Sequence, residues 1–165
     1  PCSVLHVRRS DVVLHDQHSR RYHEMEEYMN VSEALLQRTI LLLTDDSDAI
    51  EEARTKYPDY HWVYIDRPRF KGTEGGWENQ IPSDDPKLEI VVLLSIFRLV
   101  KQCQSFVHTH SNLGSFIAGI MTTKVPNATV VDIDSKENHT QVFSKKNEVK
   151  LPKKTKRKPE DKDAE

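Results

Sequence analysis

Glycine is scarce in this chain, five in 165 residues, and none of them builds a GxxxxGK[ST] or GxGxxG run. Sites of that kind need glycines where backbone N–H groups close on phosphate, so ordinary nucleoside-triphosphate and dinucleotide sites are disfavoured. Long apolar runs are also missing. Stretches such as Ile90 to Leu94 fall far short of the roughly 18 residues that a bilayer span requires. Cysteine is limited to Cys2 and Cys103, too few for a disulfide framework; both adjoin apolar segments, where buried thiols are expected. There is no internal repeat. A start at Pro1-Cys2 without an initiator Met leads to the expectation of a piece of a longer protein, in which a signal or anchor segment could lie upstream.

What is present is globular in kind: 36% hydrophobic and 30% charged residues, enough for one domain of ordinary size. The formal net charge of −2 conceals an asymmetry. Residues 145–165 hold nine Lys/Arg against five Asp/Glu, leaving 15 basic and 21 acidic side chains in residues 1–144. The body is acidic and the tail basic. That tail has too little apolar surface to offset its ordering entropy and is expected to be disordered. Its KKTKRK core suits nuclear import or nucleic acid, against the plainer reading of a solvated chain end.

Within the body, β-type runs alternate with helical patterns. CSVLHV reads as a strand and His23–Met29 as a short helix, followed by a strand TILLL at 39–43. Ser47 can cap a helix SDAIEEARTKY that Pro58 stops, and HWVYI at 61–65 is the next strand. Residues 66–86 carry three prolines and three of the five glycines, the composition of a long loop. From Asp85 or Pro86 runs a helix that is apolar nearly all round and is expected to be buried between layers. SFVHT, LGSFIAGIM and ATVVDI complete the series as strand, helix and strand. Strands joined by crossover helices predict an α/β fold, a Rossmann-like open parallel sheet with helices on both faces.

Ligands of such sheets collect at the carboxyl ends of the strands. Three fragments fall there: His6-Val7-Arg8-Arg9-Ser10-Asp11, Thr44-Asp45-Asp46 and Thr109-His110-Ser111-Asn112. Paired arginines offer planar, permanently charged forks for phosphate. Thr109, Ser111 and Asn112 precede or open a helix, where hydroxyls, an amide and free N–H groups can receive an anion. Against this stand the plainer readings: Arg8 or Arg9 paired with Asp11 or Asp46, and Ser111 or Asn112 as a helix cap.

Taken in order, HVRRSD at 6–11, HEMEEYM at 23–29, LLTDD at 42–46, EARTKYP at 52–58 and FVHTHSN at 106–112 resemble the motifs of the α-1,6-fucosyltransferases, glycosyltransferase family 23. The resemblance covers about residues 2–123. It implies the nucleotide-sugar half of a GT-B-like glycosyltransferase that binds GDP-fucose as donor substrate, without a metal or other cofactor. By matching positions, Arg8 and Arg9 would hold the β-phosphate and stabilise the leaving group, with His6 near the nucleotide. Asp11, Asp45 and Asp46 would orient the arginines or the donor, and Thr109 and Ser111 would meet phosphate from the other side. It further implies a glycan acceptor, a Golgi or other secretory location, and an acceptor domain and membrane anchor upstream of this chain.

The chain departs from that pattern in two places. The family's lysine after HVRRTD is Val12 here, and the position of its general base falls on Ser19, so no base is inherited; Asp16, His15 or His18 could serve. The acid expected against guanine falls at Ser95. Other signals remain open. Asp132-Ile133-Asp134 fits the DxD pattern of metal-using glycosyltransferases or a structural turn. His108 and His110 point to opposite faces if the strand runs through both, and then cannot chelate one metal. Asn30, Asn127 and Asn138 begin N-x-S/T triplets, which lean toward a secretory compartment. The expected activity is inverting fucose transfer from GDP-fucose to an N-glycan or related acceptor. The alternative is a non-catalytic Rossmann-like domain that binds protein or nucleic acid through its surface or tail.

Overall fold

A computed structural model describes residues 1–9, 21–32, 36–71, 83–135 and 141–142. Strand β1 (Ser3–Val7) is buried at every position, as a strand covered on both faces must be. β2 (Thr39–Thr44) pairs with it in parallel, Leu42 beside Leu5. β4 (Ser105–His108) does the same on the other side, Val107 beside Leu5. β3 (His61–Val63) and β5 (Thr129–Asp132) extend the two flanks in parallel, giving the order β3-β2-β1-β4-β5. A two-residue strand β6 (Gln141–Val142), not expected from the sequence, runs antiparallel to β5. The connecting helices are α1 (Met25–Ser32), α2 (Ser47–Lys56), α3 (Pro86–Val100) and α4 (Asn112–Lys124). This is the expected class: a Rossmann-like open parallel α/β sheet.

Alternation along each strand sends side chains to opposite layers. Val4, Leu41, Leu43, Phe106 and Val130 meet Ile96 and Val100 of α3 and Ile117 and Met121 of α4. Leu5, Val7, Leu42, Val107 and Val131 meet Met25, Tyr28 and Met29 of α1 and Ala49 and Ala53 of α2. Full burial of each such Leu, Val or Met is worth about 1.5–3 kcal/mol.

Helix starts follow local chemistry, with one correction. The cap of α2 is Asp46, not Ser47: Asp46 is extended and its carboxylate accepts from the Asp48 N–H at 3.0 Å. Ser47 instead donates from Oγ, and from its N–H, to the Phe70 carbonyl. Asp85 caps α3 by accepting from the N–H groups of Lys87 and Leu88, with Pro86 in the first turn where its missing N–H costs nothing. Ser111 caps α4 through the Gly114 N–H at 2.8 Å. A Cβ at Gly114 would lie 3.0 Å from His108 Nδ1, Ser111 Oγ and the Thr109 carbonyl, so this tight turn into the helix requires a residue without one.

Three further expectations are corrected. Helix α3 is not buried between layers: Leu88, Ile90, Val91, Leu93, Leu94 and Leu99 are between 40% and 60% exposed, and only Ile96 and Val100 are buried. α3 shares its sheet face with α4, Phe97 lying 4.9 Å from Phe116, and meets the core along one stripe while much of its apolar circumference looks outward. Cys2 and Cys103 are not buried thiols but a disulfide. Pairing of β1 with β4 from Ser3–Ser105 onward brings the two cysteines together at the amino edge of the sheet, across 101 residues of sequence. Strand β3 ends at Val63 rather than Ile65, as befits a half-exposed edge strand. The expected tail, 145–165, lies outside the described residues.

Candidate functional site

The sheet order turns between β1 and β4, and there the carboxyl ends of β1, β2 and β4 stand side by side. That is the position at which open α/β sheets form a ligand crevice. His6, Arg8, Arg9, Asp45, Asp46, Thr109, Ser111 and Asn112 all gather on this edge. Asp11 and Asp16 lie outside the described residues.

The paired arginines divide between the two layers. Arg9 turns to the α1/α2 layer and is completely buried. Its Nε donates to the His23 carbonyl at 2.8 Å, Nη1 to Glu52 at 2.8 Å and Asp46 at 3.2 Å, and Nη2 to Glu52 at 3.3 Å. The Tyr22 ring covers the guanidinium at 4.7 Å. Burial works against the Arg9 cation, but Glu52 and Asp46 outweigh it and raise its pKa; the same contact holds Glu52 below the usual carboxylate range, against its own burial. The Arg9 N–H also donates to Asp45 at 3.1 Å. This is the paired reading of Arg9, with Asp46 both helix cap and counter-ion.

Arg8, half-buried, is on the side of His6 and near enough for its charge to be felt there. Burial, then His108 and Arg8, push the His6 pKa down to about 3, so His6 is a neutral hydrogen-bonding group. Its Nδ1 lies 3.5 Å from Ser111 Oγ. His108, stacked on Phe106 at 4.6 Å, is likewise lowered by burial, with Nδ1 3.0 Å from the Thr109 carbonyl. Thr109 and Ser111 are buried and Asn112 is exposed at the first turn of α4. β4 stops at His108, so His110 is not on the strand.

Several residues of this edge were not foreseen. His23 is buried, with Nδ1 3.1 Å from Glu27 and Nε2 2.7 Å from Asp134. The i, i+4 spacing of His23 and Glu27 was visible in the sequence; the approach of Asp134, 111 residues away, was not. Arg69 donates to the carbonyls of Thr44, Arg67 and Ile65, strapping the segment after β3 against the end of β2. As for the DxD pattern, Asp132 accepts from the Asp134 N–H at 3.0 Å and Asp134 accepts from the His110 N–H at 2.8 Å. These carboxylates close a turn. Among the described residues no group of three or more His, Cys, Asp or Glu is arranged to hold a metal ion. Ser95, exposed on α3, donates to the Val91 carbonyl within its own helix.

The protein is thus an open parallel α/β sheet protein with a polar, charge-bearing edge at its switch point. No family model matches the chain, and no curated protein matches it.

Proposed function

We propose that this chain is the donor-binding unit of a fucosyltransferase-like glycosyltransferase, taking GDP-fucose and delivering fucose to an N-glycan or related acceptor with inversion. The order of motifs from HVRRSD to THSN supports the reading. One observation carries it: the Arg8-Arg9 end of β1 lies between the Asp45-Asp46 end of β2 and the Thr109–Asn112 end of β4, at the switch point of the sheet.

In this reaction an acceptor hydroxyl attacks the anomeric carbon, the sugar–phosphate bond breaks, its electron pair leaves with GDP, and a base takes the hydroxyl proton. Negative charge grows on the departing diphosphate, and a fixed guanidinium stabilises it in place of a divalent cation. The two arginines divide that work. Arg9, saturated by Asp46, Glu52 and the His23 carbonyl, anchors the end of β1 to β2 and α2. Arg8, next in the chain and near enough to His6 for its charge to act there, is the cation assigned to the diphosphate, and Ser111 stands 3.5 Å from the same His6 at the neighbouring strand end. Asp16 is the base candidate. The Cys2–Cys103 disulfide and the exposed triplet asparagines Asn30 and Asn127 support an oxidising, secretory compartment such as the Golgi.

The exposed apolar circumference of α3 favours a second reading, a non-catalytic domain that works by surface binding. Calorimetry with GDP and GDP-fucose separates the two. Wild type is expected to bind both, and Arg8→Ala to lose at least about tenfold, a loss on the scale of one charge-assisted hydrogen bond. Absence of nucleotide binding, or equal affinity in the variant, rejects the donor site. Nucleic-acid affinity that disappears on deletion of residues 145–165 supports the rival.

A further inference from the structure

We propose that His23 is a positioning residue that works as an imidazolium: it ties Glu27 of α1 to Asp134 after β5 and so keeps Arg9, and the strand end beside it, in the donor-binding arrangement. The link to donor binding rests on the function proposed above; the charged clamp itself does not.

The argument is geometric. A neutral imidazole has one N–H and one lone pair, so it can donate to only one carboxylate. Here both ring nitrogens face carboxylate oxygens, Nδ1 at 3.1 Å from Glu27 and Nε2 at 2.7 Å from Asp134. With a proton on each nitrogen both contacts become charge-assisted hydrogen bonds, and the ring, which has no exposed surface, is a buried cation paired on two sides.

Among the described residues, other charged and titratable groups also reach these two carboxylates, Arg21 at the same Glu27 oxygen that His23 faces. Arg21 pairs with Glu27 at 2.5 Å, and the Glu24 N–H donates to the other Glu27 oxygen. Asp134 takes the His110 N–H, while Asp132 is engaged with the Asp134 N–H. The Tyr28 ring meets His23 edge-on at 6.1 Å. Arg9 donates Nε–H to the His23 backbone carbonyl at 2.8 Å. That bond is the coupling: the side chain of His23 is pinned between two elements, and its carbonyl fixes the Arg9 guanidinium against Asp46 and Glu52.

Burial alone would lower the His23 pKa, but the hydrogen bonds to Asp134 and Glu27 outweigh it and raise it above the ordinary value. Glu27 and Asp134 are held below theirs by the same ring, against their own burial. A histidine raised in the folded state contributes fully below its unfolded pKa, about 6.5, and that contribution is lost as pH rises through the raised value. The carboxylates give way only on the acid side.

Two measurements on the full chain test this. In long-range 1H–15N spectra, with His23 assigned by its loss in His23→Gln, both ring nitrogens should carry protons at pH 7 and titrate at higher pH. A neutral ring at pH 7 overturns the proposal. In calorimetry, GDP affinity of wild type should fall about five- to tenfold as His23 loses its proton, the size of a modest coupling between sites. His23→Gln should be weaker from the outset and flat over the same range; equal pH slopes overturn the positioning role. If His23→Gln does not fold, Asp134→Asn takes its place and must move the His23 midpoint and the affinity drop downward together; an unmoved midpoint overturns the proposal. If GDP binds nowhere in the range, the donor reading fails by itself, and the Arg9 Nε–H resonance carries the test: following the His23 titration supports the clamp, and ignoring it overturns it.

Discussion

The two layers meet the same strand ends with opposite chemistry. Around α1 and α2, Arg9 pairs with Asp46 and Glu52, and the buried His23 lies between Glu27 and Asp134. On the α3/α4 side, His6, His108, Thr109 and Ser111 are buried and uncharged, and Arg8 brings its cation among them. A self-neutralised cluster gains nothing from an anion and serves as a frame. The nearness of Arg8 to the buried, neutral His6 is the ground on which the donor role is assigned to it rather than to Arg9. Under the proposed function the two arginines hold different jobs, and the two should fail differently.

The largest expected effect breaks the frame. Arg9→Met leaves Asp46 and Glu52 without their cation and should cost about 3–5 kcal/mol, read from urea unfolding. Arg8→Ala, at a half-buried position, should cost less than Arg9→Met while lowering GDP affinity at least about tenfold. Equal destabilisation by the two would erase the distinction between the layers. The next effect belongs to the opposite edge of the sheet. Replacing Cys2 and Cys103 together by Ala should lower stability by about 2–4 kcal/mol and leave GDP affinity unchanged, since the bridge sits at the amino ends of the strands. An affinity loss would show that the two edges are coupled.

The smallest effect sharpens the α4 side. Gly114→Ala puts a methyl 3.0 Å from His108, Ser111 and the Thr109 carbonyl and should cost about 1–3 kcal/mol. Gly119→Ala, on the same helix with no atom within 4 Å of the new Cβ, should stabilise by about 0.5–1 kcal/mol. Thermal melts of the pair separate a crowded turn from a general intolerance of α4 to substitution.

The class of fold was legible because period-2 and period-3.6 patterns alternate cleanly and β1, β2 and β4 are short apolar runs bounded by polar residues. The gathering of Arg8, Arg9, Asp45, Asp46, Thr109 and Ser111 was legible for the same reason, since strand ends in a parallel sheet share one edge. What stayed hidden depends on distance in sequence. Glu52 reads as one of several acids on an exposed-looking helix until Arg9 reaches it from 43 residues away. The Cys2–Cys103 bridge follows from strand order, which hydrophobic patterning does not specify. Helix α3 misled in the other direction: an apolar circumference signals burial, yet only its sheet-facing stripe found a partner among the described residues.

By itself the sequence determined the parallel α/β class, the edge on which polar residues collect, and the cationic doublet at the end of β1, because local periodicity and strand polarity are properties of neighbouring residues. Only the tertiary structure decided which arginine is caged, that His23 lies between two carboxylates, and that the two cysteines are joined. Those outcomes depend on which distant groups share a low-dielectric interior, where an unpaired charge is too costly to persist and each ion must find its counterpart.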